Sequence, residues 1–279
     1  MNFSTRSLVA VPSLVALASC KPTPAQRAQA RSLSKSAFAR LQDHPFELDS
    51  VALAAAQLAA ASKLAPEEAW VHIGNGQLAL TTGHDMGSWY RMERFDPHAV
   101  ASARREAELA IASDSLEPQA WCSSALIHIL DKRWDLVQGE VNRAYLLDTS
   151  AFEPYHLRGV AYRMVKQYDK SRQFYLLADS HAATAGQRKQ VIAGLSAVAK
   201  GQGDHAEELR LLMKDVEIDP TNAWSYGMVA EWYMTQKRYA EAVQWWEKAV
   251  AIAPFGRAVA QLAKAREAVR TGVAAVAGD

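Results

Sequence analysis

The sequence predicts an all-α protein, a right-handed α-solenoid of about six helix pairs closed by a C-terminal capping helix. Three observations predict it. The same residue classes return at the same offsets when 118–151, 152–185, 189–222 and 223–256 are aligned. Bulky and small residues answer one another at helical spacing within each window. No stretch alternates apolar and polar residues over a useful strand length.

Taken from the N-terminus, MNFSTR carries one charge, Arg6, and SLVAVPSLVALA is a modest apolar run. Its length of about twelve residues suits a signal peptide and falls short of the roughly 20 that cross a bilayer. The run ends in Leu17, Ala18, Ser19 and Cys20, and the following KPTPAQRAQA is polar, with two prolines, like a flexible tether. This order resembles the lipobox of bacterial lipoproteins. The resemblance implies that the chain is cut before Cys20, that its sulfur carries a diacylglycerol and that the new amino terminus is acylated. Several acyl chains give stable anchoring. In that family Asp after the cysteine marks inner-membrane retention; Lys21 stands there instead, implying the outer membrane and its periplasmic face. The alternative is an apolar tail with a chance cysteine. The organisation expected is a signal peptide over 1–19, a lipidated tether over 20–26, one solenoid over 27–272 and a tail over 273–279.

Within the solenoid, 27–42 and the alanine-rich 50–64 read as a first helix pair, and 67–80 with 98–114 as a second. Between the latter two lies TTGHDMGSWYRMERFDP, an insertion over 81–97 that is far longer than a tight turn. From residue 118 the pattern sharpens. Large residues open the first helices at Trp121, Tyr155, Ile192 and Tyr226, and small ones follow at Ala125, Gly159, Ser196 and Ala230. Next come His128, Tyr162, Ala199 and Tyr233, then Trp134, Tyr168, His205 and Tyr239 at the start of the second helices. Val141, Tyr175, Leu212 and Trp246 are bulky; Ala144, Ala178 and Ala249 are small, with Asp215 the exception. A large residue needs a small one opposite if two helices are to approach to about 8–10 Å. Residues 257–270 read as an amphipathic cap ended by Gly272.

The pattern is similar to the tetratricopeptide repeat, a helix-turn-helix of about 34 residues. Residues 223–254, AWSYGMVAEWYMTQKRYAEAVQWWEKAVAIAP, match nearly every characteristic position. The resemblance covers about half the chain firmly and most of the remainder loosely. It implies a protein or peptide partner held on the concave face of the first helices.

Composition narrows the function further. Lys plus Arg is 31 and Asp plus Glu 30, so there is no basic field for nucleic acid. Cys20 and Cys122 are the only cysteines, too few for a disulfide framework or a thiolate metal site. No phosphate loop, zinc-helix motif or nucleophile elbow occurs; GLSAV at 194–198 only echoes the last, with Ser196 at a packing position. No catalytic residue, metal or cofactor is therefore expected, and the chain reads as a non-enzyme. His128 and His205 stand where the repeat places packing aromatics and read as core histidines. Trp121, Trp134 and Trp246 read as core for the same reason.

By register, the concave groove is lined by Cys122, Leu126 and Ile129, then His156, Val160 and Arg163, then Ala193, Ala197 and Lys200, then Trp224, Gly227, Glu231 and Met234. The Lys and Asn residues with which some tetratricopeptide domains clamp a carboxylate are absent from Cys122, Leu126, His156 and Val160. A floor this apolar suits an amphipathic helix or extended peptide, unless the protein fills its own groove. The insertion, with Trp89, Tyr90, Met92 and Phe95, is expected to fold back on its helices, with a contact surface as the alternative. The function expected is a membrane-anchored periplasmic adaptor for protein–protein interactions in a bacterial envelope assembly. Alternatives are a cytoplasmic scaffold, or a small-ligand receptor or enzyme built on His156, Arg163 and Glu231.

Overall fold

A computed structural model describes residues 21–43, 47–83, 95–254 and 256–271. The expected signal peptide, Cys20, most of the insertion including Trp89, Tyr90 and Met92, Gly272 and the tail lie outside the described residues. Thirteen helices follow one another among those described: α1 (Pro24–Asp43), α2 (Leu48–Leu64), α3 (Ala69–Thr82), α4 (Pro97–Ser113), α5 (Pro118–Leu130), α6 (Trp134–Leu147), α7 (Phe152–Met164), α8 (Tyr168–His181), α9 (Ala185–Gln202), α10 (His205–Ile218), α11 (Ala223–Thr235), α12 (Tyr239–Ile252) and α13 (Gly256–Arg270). No strand occurs among the described residues. Six antiparallel pairs and a final helix therefore form, as the repeat spacing predicts. Helix α1 starts inside the expected tether, at Pro24, because proline's fixed φ and missing N–H suit a first helical turn.

The large-against-small rule is plainest in the α7/α8 and α11/α12 pairs. Tyr175 on α8 is buried between α7 and α9, and a Cβ at Gly159 would fall 2.7 Å from its ring. A Cβ at Gly194 of α9 would collide with the same ring, so two glycines make room for one tyrosine. Trp246 of α12 uses Gly227 of α11 in the same way, at 3.0 Å from a built Cβ. Trp121 and Trp134 are half-buried against the central core, and Trp246 is buried in the C-terminal one. The N-terminal pairs join through Phe38 of α1, which meets Trp70 of α3 edge-on at 5.7 Å.

The turns inside the last four pairs share one backbone device. Lys132, Lys166, Gly203 and Lys237 all adopt positive φ, at 61°, 61°, 76° and 58°. The next residue's N–H then bonds back across the helix end, from Arg133 to His128 O at 2.8 Å and from Gln167, Asp204 and Arg238 to their equivalents at 2.9 Å. Three of these positions carry lysine where glycine would be unstrained.

Of the long connection, the described ends are in contact: Asp96 N donates to Gly83 O at 2.9 Å, and Phe95 is half-buried beside Leu80, Ala103 and Ile127. Helix α3 runs on to Thr82, two residues into the expected insertion.

Candidate functional site

The first helices α1, α3, α5, α7 and α9 pack in series along the inner side, and α1 then meets α9. The repeat spacing explains how. Three residues, 186–188, fall between the windows 152–185 and 189–222, and they extend α9 at its N-terminus. It runs 18 residues where α5, α7 and α11 run 13. The added turn carries a capping box: Thr184 Oγ1 accepts from Gln187 N at 3.1 Å, and Gln187 Oε1 accepts from Thr184 N at 3.3 Å.

That turn reaches the last turn of α1. Gln190 Nε2 donates to Gln42 Oε1 at 2.6 Å, and Thr184 Oγ1 donates to Asp43 Oδ1 at 3.2 Å. Gly186 leaves no room beyond its hydrogen, since a Cβ there would collide with the Asp43 carboxylate. Asp43 thus sits at the wrong end of its own helix dipole and at the favourable end of α9. On this inner side Gln187 also bonds Glu153 of α7, whose carboxyl is pushed above the usual range by burial, an effect the Gln187 bond partly offsets.

The predicted groove residues divide under this geometry. Cys122, Ile129 and Val160 are 2%, 1% and 7% exposed, and they pack in the core instead of lining an open floor. The close series of first helices explains the correction: neighbouring units cover side chains that a wider superhelix would leave facing the groove. Leu126, Ala193, Ala197 and Met234 are half-buried, Gly227 is buried, and Lys200 is exposed. The Cys122 thiol is pushed well above its ordinary range by burial, helped by the Glu153 and Glu117 carboxylates, so it stays protonated and a poor nucleophile.

His156 is half-buried, stacked on Phe152 at 5.2 Å and tilted against Tyr175 at 5.6 Å. Burial, then the Arg163 guanidinium, lowers its pKa to about 4, so the imidazole is neutral at physiological pH. Arg163 Nε in turn donates to Tyr175 Oη at 3.4 Å. Glu231 is elsewhere: it pairs at 3.0 Å with Arg257 of the cap α13, whose guanidinium also lies 6.0 Å from the Trp224 ring. The set His156, Arg163 and Glu231 is therefore split, the first two within α7 and the third held at the C-terminal end.

Two further expectations sort the same way. His128 is partly buried and bonds Glu140 at 2.7 Å, while Glu140 also accepts from Ser124 Oγ at 2.6 Å. His205 is not a core histidine: its side chain is 55% exposed at the first position of α10, beside Glu208 at 3.4 Å. At the same first position Trp134, Tyr168 and Tyr239 are half-buried, whereas the smaller imidazole of His205 stays in water. Ser196 is buried inside α9. Among the described residues no three or more His, Cys, Asp or Glu side chains gather as a metal set, and no helix is long and apolar enough to cross a membrane.

A tetratricopeptide repeat family model matches residues 222–253, the α11/α12 pair. A solved tetratricopeptide repeat protein from Parabacteroides merdae overlays 86% of this chain and 93% of its own, with a TM-score of 0.57 at 12% identity. The fold is that of the tetratricopeptide repeat proteins. A thermophilic tetratricopeptide repeat protein of Thermus thermophilus overlays 68% of this chain and 98% of its own, with a TM-score of 0.52 at 15% identity. Yeast Tom70 overlays 87% of this chain with a TM-score of 0.57 at 15% identity, and the match spans 48%, about half, of the Tom70 chain. No curated protein matches the sequence. The tetratricopeptide fold supports a protein-interaction scaffold.

Gln42, Asp43, Thr184, Gly186 and Gln190 escaped the sequence reading. The one signal for them is the 37-residue step between Gln167 and Asp204, where the neighbouring steps are 34.

Proposed function

We propose that this chain is a lipid-anchored adaptor, held at the periplasmic face of a bacterial outer membrane through Cys20, whose tetratricopeptide solenoid binds envelope proteins and brings them together. The repeat fold carries the interaction half of this reading, because its product is a long inner surface with no need of a reaction centre. The order of Arg6, an apolar run, Leu17-Ala18-Ser19-Cys20 and a polar tether supports the anchor. The groove residues that remain accessible, Leu126, Arg163, Ala193, Ala197, Lys200, Trp224 and Met234 among them, are the surface on which a partner segment would lie. Val160, first assigned to that surface, is buried and belongs to the packing.

The test is in-cell crosslinking and affinity purification from detergent-solubilised envelopes, comparing the native chain with a Lys200→Glu, Met234→Glu variant. A defined envelope protein captured by the native chain and lost with the variant is the expected result. Cytosolic partners, or identical capture by both forms, would sink the reading. Separately, labelled fatty acid should be incorporated by the native chain and not by Cys20→Ser; equal labelling removes the anchor.

A further inference from the structure

The contact between α1 and α9 differs in kind from every other join along the inner side. Helix α1 is fastened to α2 and α3 by apolar packing, with Ala37, Leu41, Ala54 and Leu58 buried in one cluster and Phe38, Trp70 and Ile73 in another. Against α9 it offers the end of its last turn, through Gln42 and Asp43, to Gln190 and Thr184. Both joins are hydrogen bonds between polar side chains, one of them exposed. Polar contacts at a surface exchange readily for water, whereas the apolar joins do not.

Two details indicate a fitted contact. Gly186 is the residue that lets the α1 carboxylate lie against the first turn of α9. That turn exists because of the three residues that break the repeat spacing, and its own capping box holds Thr184 in place for Asp43. Gln42 Nε2 also donates to Gln77 Oε1 of α3 at 3.5 Å, so its amide bridges α3 and α9.

From this we infer that α1 and α9 form a latch, closed in the resting protein, which must part before the inner face admits a partner segment. The inference rests on the adaptor reading for what enters, but not for the latch itself. Opening requires only that the superhelix relax outward, each unit keeping its apolar contacts with its neighbours. A partner that binds only the open form then shifts the population toward it.

Gly186→Ala is the releasing variant. Alanine favours a helix more than glycine does, so α9 itself should not be weakened while its Cβ wedges Asp43 away. The locking variant is Gln42→Cys with Gln190→Cys, bridged by a short bis-maleimide; Cys122 is buried with its thiol pushed up in pKa and should not compete. In the native background the two introduced cysteines should crosslink readily, as mapped by mass spectrometry. With Gly186→Ala added, the yield should fall several-fold. Small-angle scattering of Gly186→Ala should show a larger radius of gyration at unchanged helicity. Failure to link 42 with 190, or identical scattering from the native and Gly186→Ala chains, overturns the latch whatever the chain binds. The partner defined by the groove-dependent capture should be retained by Gly186→Ala and lost several-fold in the bridged form. Equal binding to bridged and unbridged forms overturns the gating. If no form captures a partner while the scattering still shifts, the adaptor reading fails, the gating falls with it, and the mechanical latch stands.

Discussion

His156 shows how burial converts a residue of mixed promise into a defined one. Its ring is pressed between Phe152 and Tyr175 with a guanidinium nearby, and its pKa is lowered to about 4 from an ordinary value near 6.5. A base with a depressed folded pKa favours the unfolded state in acid. The stability it lends is intact above pH 6.5, is lost as the pH falls toward 4, and changes little below that. The full loss by linkage is at most about 3 kcal/mol, less what water screens at a half-buried ring. We expect the native melting temperature to drop more steeply between pH 7 and 4.5 than that of His156→Asn; parallel curves would mean the ring is protonated without penalty. The same scale shows where sequence reading stops. Asp215 stood out as a charged residue at a small position, yet its partner was invisible: Ser225 Oγ, from the next repeat, donates to Asp215 Oδ2 at 2.7 Å. Burial pushes that carboxyl up, opposed by the Ser225 bond and by Lys189.

At the scale of the helix pair, the turn residues offer the cleanest test. Lysine at positive φ carries a steric cost of roughly 1–2 kcal/mol that glycine avoids, less the extra chain entropy glycine loses on folding. Lys166→Gly should therefore stabilise the protein by about 1 kcal/mol, and Gly203→Ala should destabilise it by a similar amount, both read from urea unfolding. Equal and negligible shifts would show that the turns relax around any residue. The elements themselves were legible because the bulky and small positions obey a local rule: Gly159, read as a small position, lies against Tyr175, although Gly227, read as a groove residue, lies buried against Trp246. The start of α1 at Pro24, the end of α3 at Thr82 and the exposure of His205 were not, since each depends on which neighbour covers a helix end. Groove membership was the least legible. Register says which way a side chain leaves its helix but not how near the next helix stands, and for Cys122, Ile129 and Val160 that nearness decides the outcome.

At the scale of the molecule, the repeats do not behave alike. The α9/α10 pair departs furthest from the pattern, with Glu208 and Asp215 at positions elsewhere held by small or apolar residues, and it is the pair that meets α1. The α11–α13 end joins the rest through α10 and is held by the cap, with Arg257 on Glu231 and Arg266 on Glu247. Helices tied at both ends should open last. Amide hydrogen exchange should thus be faster across α12 and α13 than across α1 and α3, even though both lie at chain ends; the reverse order would deny the N-terminal tie. The α1/α9 contact also imposes an order in time. A linear array can consolidate unit by unit as the chain emerges, but Asp43 and Thr184 are 141 residues apart, so the N-terminal helix must wait, its final turn without its mate, until the fifth pair has been delivered.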